Sequence, residues 1–78
     1  MELQELLIDE DYSISAIAES IYIIDESLKD GVLTKEQAAE LIEDVKQLYE
    51  VEQLAQRLDT KQKVQFLLNL ITNIIGEK

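Results

Sequence analysis

The sequence contains no cysteine, no histidine and no proline, and only two glycines. Without cysteine there are no disulfide staples. Without thiolate or imidazole there is no closed structural zinc site. The missing histidine also removes the usual base for a nucleophilic serine. Ser13, Ser15, Ser20 and Ser27 are present, but none sits in a Gly-x-Ser-x-Gly elbow. Two isolated glycines, Gly31 and Gly76, cannot form a phosphate-cradling loop or a dinucleotide fingerprint. No apolar run reaches the roughly 18 residues that cross a bilayer. The opening Met1-Glu2-Leu3-Gln4-Glu5 lacks the basic start of a secretory signal. These absences predict a cytoplasmic chain with no catalytic residues, no metal, no cofactor and no membrane segment.

Bases are scarce as well. Seventeen acids face seven bases, for a net charge of −10. Residues 1–52 hold fifteen acids and only Lys29, Lys35 and Lys46 as bases, a net −12, whereas residues 53–78 carry a net +2. A field of this sign repels nucleic-acid phosphates and anionic lipid and attracts basic protein surfaces. The expected acidic partner surface comprises Glu2, Glu5, Asp9, Glu10 and Asp11 at the start of the chain, with Glu40, Glu43 and Asp44 further on. Arg57, Lys61 and Lys63 form the one basic cluster. It reads either as solvated residues at a helix start or as a counterpart to the N-terminal acids of a neighbouring copy, in a head-to-tail arrangement.

What is abundant is leucine, isoleucine, glutamate, lysine, glutamine and alanine, a helix-forming composition. With 78 residues the chain is one domain, 1–78. A domain this small buries only about 60–65% of its unfolded surface, so its stability on its own is marginal. Self-association or docking on a partner would supply the rest.

Local signals divide the chain. Gly31 suits the left-handed turn that closes a helix, and Thr34 with Gln37 has capping-box spacing. A first long helix over 12–30, capped by Asp11 or Ser13, is therefore expected to turn back into a second over 35–58. A short helix or arm over 2–9 precedes them. Ile14, Ile17, Ile21, Ile24 and Leu28 recur at steps of three and four, and the same frame reaches back to Leu7 and Leu3, with Glu10 as the polar exception. Such a seam predicts coiled-coil-like packing, within the chain or with a second copy. In the second helix Ala38, Leu41, Ile42, Val45, Leu48 and Tyr49 form one stripe, and Val51, Ala55 and Leu58 continue it out of phase.

A turn near 58–60, with Asp59 as cap, is expected to open a third helix over 60–75, closed by Gly76. That helix is apolar on most sides: Val64, Phe66, Leu67, Leu68, Leu70, Ile71, Ile74 and Ile75 leave only a narrow polar stripe. Its Phe66, Leu70 and Ile74 side would be partly bare in a lone three-helix chain. Together with Leu67 and Ile71 it joins the helix 12–30 seam as the expected packing or oligomer interface.

Two patterns imitate chemistry. Adjacent carboxylates (Asp25 and Glu26, Glu43 and Asp44) need a cleft that separates their pKa values before they can act as acid and base. On open helices they are a solvated face. The segment from Asp25 to Glu36 has the length of an EF-hand loop. However, Lys29 occupies a ligand position, and Asp30 stands where the sharp turn requires glycine.

Size, charge and helical content are similar to those of the small acidic immunity proteins that neutralise bacterial toxins. The paired Tyr-Pro signature of that family is missing, because Tyr12, Tyr22 and Tyr49 are isolated and proline is absent. The chain is not placed in that family. In general style it resembles small accessory proteins of phages and mobile elements, with no motif behind the likeness. The expected fold is all-α: a helical hairpin plus a third apolar helix in a small, oligomeric bundle. The expected function is a non-catalytic protein-interaction or assembly module that self-associates through aliphatic helix faces. The alternative is an acidic, antitoxin-like inhibitor that docks on a basic protein.

Overall fold

The computed structural model describes residues 1–76, all of whose regular structure is helical. Five helices follow one another: α1 (Leu3–Leu7), α2 (Tyr12–Lys29), α3 (Lys35–Leu48), α4 (Val51–Leu54) and α5 (Lys61–Ile75). Among the described residues, no helix is long and apolar enough to cross a membrane.

The α2–α3 corner is built by its own residues. Asp30 ends α2, and Gly31 follows with φ +77°. The Val32 amide donates back to the Ser27 carbonyl at 2.9 Å and the Gly31 amide to that of Leu28 at 3.1 Å. These two bonds make a Schellman closure, in which the left-handed glycine lets the chain satisfy the last carbonyls of the helix. Three residues on, the Thr34 hydroxyl accepts from the Gln37 amide at 3.1 Å, while the Gln37 side chain accepts from the Thr34 amide at 3.0 Å. This reciprocal box starts α3.

At the other end of α2, Asp11 is the cap, its carboxylate accepting from the Ser13 amide at 2.9 Å. The Ser15 hydroxyl donates to the Leu7 carbonyl at 2.7 Å, which satisfies the end of α1 and fixes the α1–α2 corner.

The α2 stripe forms the middle of the core. Ile14, Ile17, Ile21 and Ile24 are buried, and Leu28 is half-buried against them. α1 covers one part of this stripe with Leu6, α3 another with Ala38 and Ile42, and α5 a third with Val64, Leu67 and Ile71. The seam isoleucines Ile14, Ile17, Ile21 and Ile24, expected to pack within the chain or against a second copy, thus lie inside a single chain. Phe66, Leu68, Ile74 and Ile75 pack on the edge of the core, and they and Leu70 remain half-buried.

The second long helix is shorter than the 35–58 span expected from its pattern. α3 stops at Leu48, and Glu50 takes a left-handed conformation at φ 51° and ψ 54°. The cause is the phase shift at Glu52: a straight helix could not bury Val51 and Leu54 along with Ala38 and Ile42. The break re-aims one turn, α4, so that all four are buried.

The link to α5 covers residues 55–60. Its cap also departs from expectation, because α5 starts after Thr60 and not after Asp59. Thr60 is buried, and its hydroxyl donates to the Leu54 carbonyl at 2.7 Å, tying the end of α4 to the start of α5. Asp59 turns outward to Arg57. At the far end Gly76 is not left-handed. Its amide closes on the Thr72 carbonyl at 2.7 Å, and a Cβ there would lie 2.7 Å from that oxygen.

Two expectations follow. Ile21 is 1% exposed and Ile23 54%. Ile21→Ala should cost about 2–5 kcal/mol in urea unfolding, whereas Ile23→Ala should stay within about 0.5 kcal/mol. Glu50→Gly removes the Cβ from a left-handed position and should gain up to about 1 kcal/mol in the same measurement, net of the entropy that glycine adds to the unfolded chain.

Candidate protein-contact face

The acidic start of the chain and the basic cluster meet inside one molecule. Asp9 lies in the α1–α2 corner, where its Oδ1 accepts from the Asp11 amide at 2.8 Å. Its other oxygen takes a hydrogen bond from Lys63 Nζ, in the first turn of α5. The Arg57 guanidinium holds Asp59 through two bonds of 2.8 and 3.2 Å and lies 3.6 Å from Asp11. Lys63 and Arg57, read from the sequence either as solvated residues or as counterparts to the acids of a neighbouring copy, pair with acids of their own chain. Lys61 is exposed beside the cluster, as are Glu2, Glu5 and Glu10 at the N-terminal end. Glu5 turns back locally and accepts from the Glu2 amide at 3.1 Å.

The hydrogen bond from Lys63 holds the Asp9 carboxyl below its ordinary value of 3.8, helped by the Asp11 amide. Burial pushes the other way and is outweighed. The same hydrogen bond raises Lys63 above 10.5. The stabilisation from Asp9 is therefore present above about pH 4 and is lost as pH falls through its depressed value. That from Lys63 is present below 10.5 and is lost as pH rises through its raised value.

The α2–α3 hairpin is different in character. Its outer side carries large apolar residues that the core does not take up. Ile23 on α2, and Leu41 and Leu48 on α3, are exposed, Leu48 by 72%. Between the helices lies a shallow groove of about 270 Å³. Ile24 and Val45 line it beside these three residues, Ser20 and Tyr49 complete its wall, and Asp44 is the one charged side chain in it. Leu41 and Leu48 belong to the stripe expected to face the core. They stand outside because Ala38 and Ile42 take the contact with α2.

The rim of the groove is acidic. Helical spacing places Glu19 one turn before Ile23 and Glu26 one turn after it. Tyr49 is pushed above its ordinary value of 10.0, first by burial of the phenol, then by the neighbouring Tyr12 hydroxyl and the charge of Glu19. Two of the bases on these helices are engaged elsewhere, Lys29 with Asp25 at 3.2 Å and Lys46 with Glu43 at 3.5 Å. Glu40 is exposed on α3, one turn before Asp44.

A second hollow, of about 590 Å³, lies between α3, α4 and α5, with Glu43, Lys46, Glu50 and Glu52 on its walls. Of these, Lys46 is paired with Glu43. Among the described residues no group of three carboxylates is placed to hold a metal, and no buried side-chain polar atom lacks a partner. The EF-hand look-alike from Asp25 to Glu36 forms a helix end, a Schellman turn and a capping box.

The ion pairs at the α1–α2 corner generate a pH test. Asn at position 9 keeps an oxygen for the Asp11 amide and removes only the charge. The thermal midpoint of Asp9→Asn should lie below that of the parent chain at neutral pH, and the gap should close as pH falls through the carboxylate range. A gap that persists down to about pH 2 would assign the difference to packing and not to the ion pair.

Compared with protein-family models, with curated proteins and with solved structures, the chain has no significant match.

Proposed function

We propose that this protein is a non-catalytic protein-interaction module, acting in the cytoplasm, that receives another polypeptide on the α2–α3 face. One observation carries the reading: an apolar groove open to solvent between two helices, with Ile23, Leu41 and Leu48 exposed along it. Large apolar side chains such as Ile23, Leu41 and Leu48, side by side on a small acidic chain, are of the kind that marks a contact surface. A two-helix groove is also a common receptor for an amphipathic segment. A non-catalytic role fits a chain without histidine or cysteine and with carboxylates spread over open helix faces.

Self-association is the second reading, and α5 favours it. Phe66, Leu70 and Ile74 are half-buried on the outer side of that helix, and a second copy would complete their cover. The α2 seam adds little to this reading, since Ile14, Ile17, Ile21 and Ile24 have almost no surface left to offer.

Selection from a library of displayed peptides tests the first reading. Peptides enriched on the parent chain should carry apolar residues at helical spacing and should be lost on an Ile23→Asp, Leu48→Asp double variant that keeps its helix content. Equal enrichment on both proteins would refute the reading. Sedimentation tests the second: a mass that stays at 9.0 kDa across concentration removes it.

A further inference from the structure

We infer that the occupant of the α2–α3 groove is a cationic amphipathic helix and not a second copy of this chain. The inference rests on the proposed function and narrows it to one class of partner.

The shape of the groove sets the kind of ligand. Its α3 wall runs from Leu41 to Leu48, two helical turns, or about 10 Å at 1.5 Å per residue. Its apolar floor suits side chains spaced at i, i+4 and i+7 along a docked helix. Charge sets the rest. Among the described residues no lysine or arginine lines the groove; Asp44 lies in it, and Glu19 stands one helical turn from Ile23 on its α2 side. The helix walls belong to the segment 1–52, whose net charge is −12. A helix with apolar residues on one side and Lys or Arg flanking them can seat the first in the groove and reach the rim with the second.

The same charges act against a second copy. In a two-fold dimer the same patch lies on both sides of the contact, so the acids of one groove would face an equally acidic groove with no base in it to answer them. A head-to-tail dimer would need the basic end of the chain. There Lys63 already holds Asp9 and Arg57 already holds Asp59 beside Asp11, so that of the three bases Arg57, Lys61 and Lys63 only the exposed Lys61 is left to meet a second groove.

The test uses the full chain and two labelled helical peptides of about 15 residues. One carries Leu at i, i+4, i+7 and i+11 with Lys and Arg elsewhere. Its twin carries Glu in place of every base. Fluorescence anisotropy should give binding of the cationic peptide and at least about tenfold weaker binding of the twin. Leu48→Asp is the decisive variant: Leu48 is exposed, so the fold survives, and the change removes an apolar anchor while adding a negative charge. Binding in the groove should weaken about tenfold or more in this variant, whereas attraction to charge alone should hold or tighten.

Weakening by Leu48→Asp together with preference for the cationic peptide supports the inference. Equal binding of both peptides, lost in Leu48→Asp, overturns the cationic preference and leaves the proposed function standing. Cationic binding that holds or tightens in Leu48→Asp overturns the groove as the site. No binding of either peptide overturns both. A peptide-free dimer that Leu48→Asp dissociates gives the groove to a second copy and overturns the inference.

Discussion

Four isoleucines on one stripe of α2 must leave water, and no single neighbouring helix is wide enough to cover them. The arrangement of the chain follows from that constraint. Each of these side chains contributes on the order of 1.5–3 kcal/mol when fully buried, a large share of the stability of a domain this small. α3 covers the stripe from one side, reached through the tight turn at residues 30–34. α5 covers it from another, and α1 folds back over its N-terminal end with Leu6. α3 has to break at Glu50 so that Val51 and Leu54 can join the same core, and the left-handed glutamate is the local cost of that turn.

Electrostatics then decides which parts of the surface are closed and which stay open. The acids of the α1–α2 corner would repel one another, but the fold brings the only basic stretch of the chain against them. Lys63 and Arg57 meet Asp9 and Asp11 across more than forty positions of sequence. Those bases are not available to the hairpin, where acids outnumber bases and the apolar groove opens. A greasy cleft in a negative field results from two separate facts: core packing uses up Ala38 and Ile42, and charge pairing uses up Arg57 and Lys63.

How much of this was legible varied with the range of the cause. The α2–α3 corner was readable to the residue, because Gly31, Thr34 and Gln37 act on backbone groups within one turn of themselves. The break in α3 was visible only as a phase shift at Glu52, without a glycine or proline to mark it. Asp59 looked like a cap by spacing. Thr60 holds the start of α5 in its place because the Leu54 carbonyl needs a buried donor, and that need arises from tertiary packing. The groove was hidden, since Leu41 and Leu48 share a stripe with buried neighbours and periodicity alone cannot say which edge of the stripe faces inward.

By itself the sequence determined the helical class, the hairpin, the apolar face of α2 and the acidic field, all of which depend on residue type and on spacings of a few positions. Tertiary structure alone decided that the α2 seam closes within one chain, that the basic cluster answers the N-terminal acids of the same molecule, and that Ile23, Leu41 and Leu48 stay outside. The reason is common to all three. A helix stripe states that it must be covered, but which side chains are left at its edge depends on the width and angle of the neighbours that cover it, and those are properties of contacts between segments far apart in the chain.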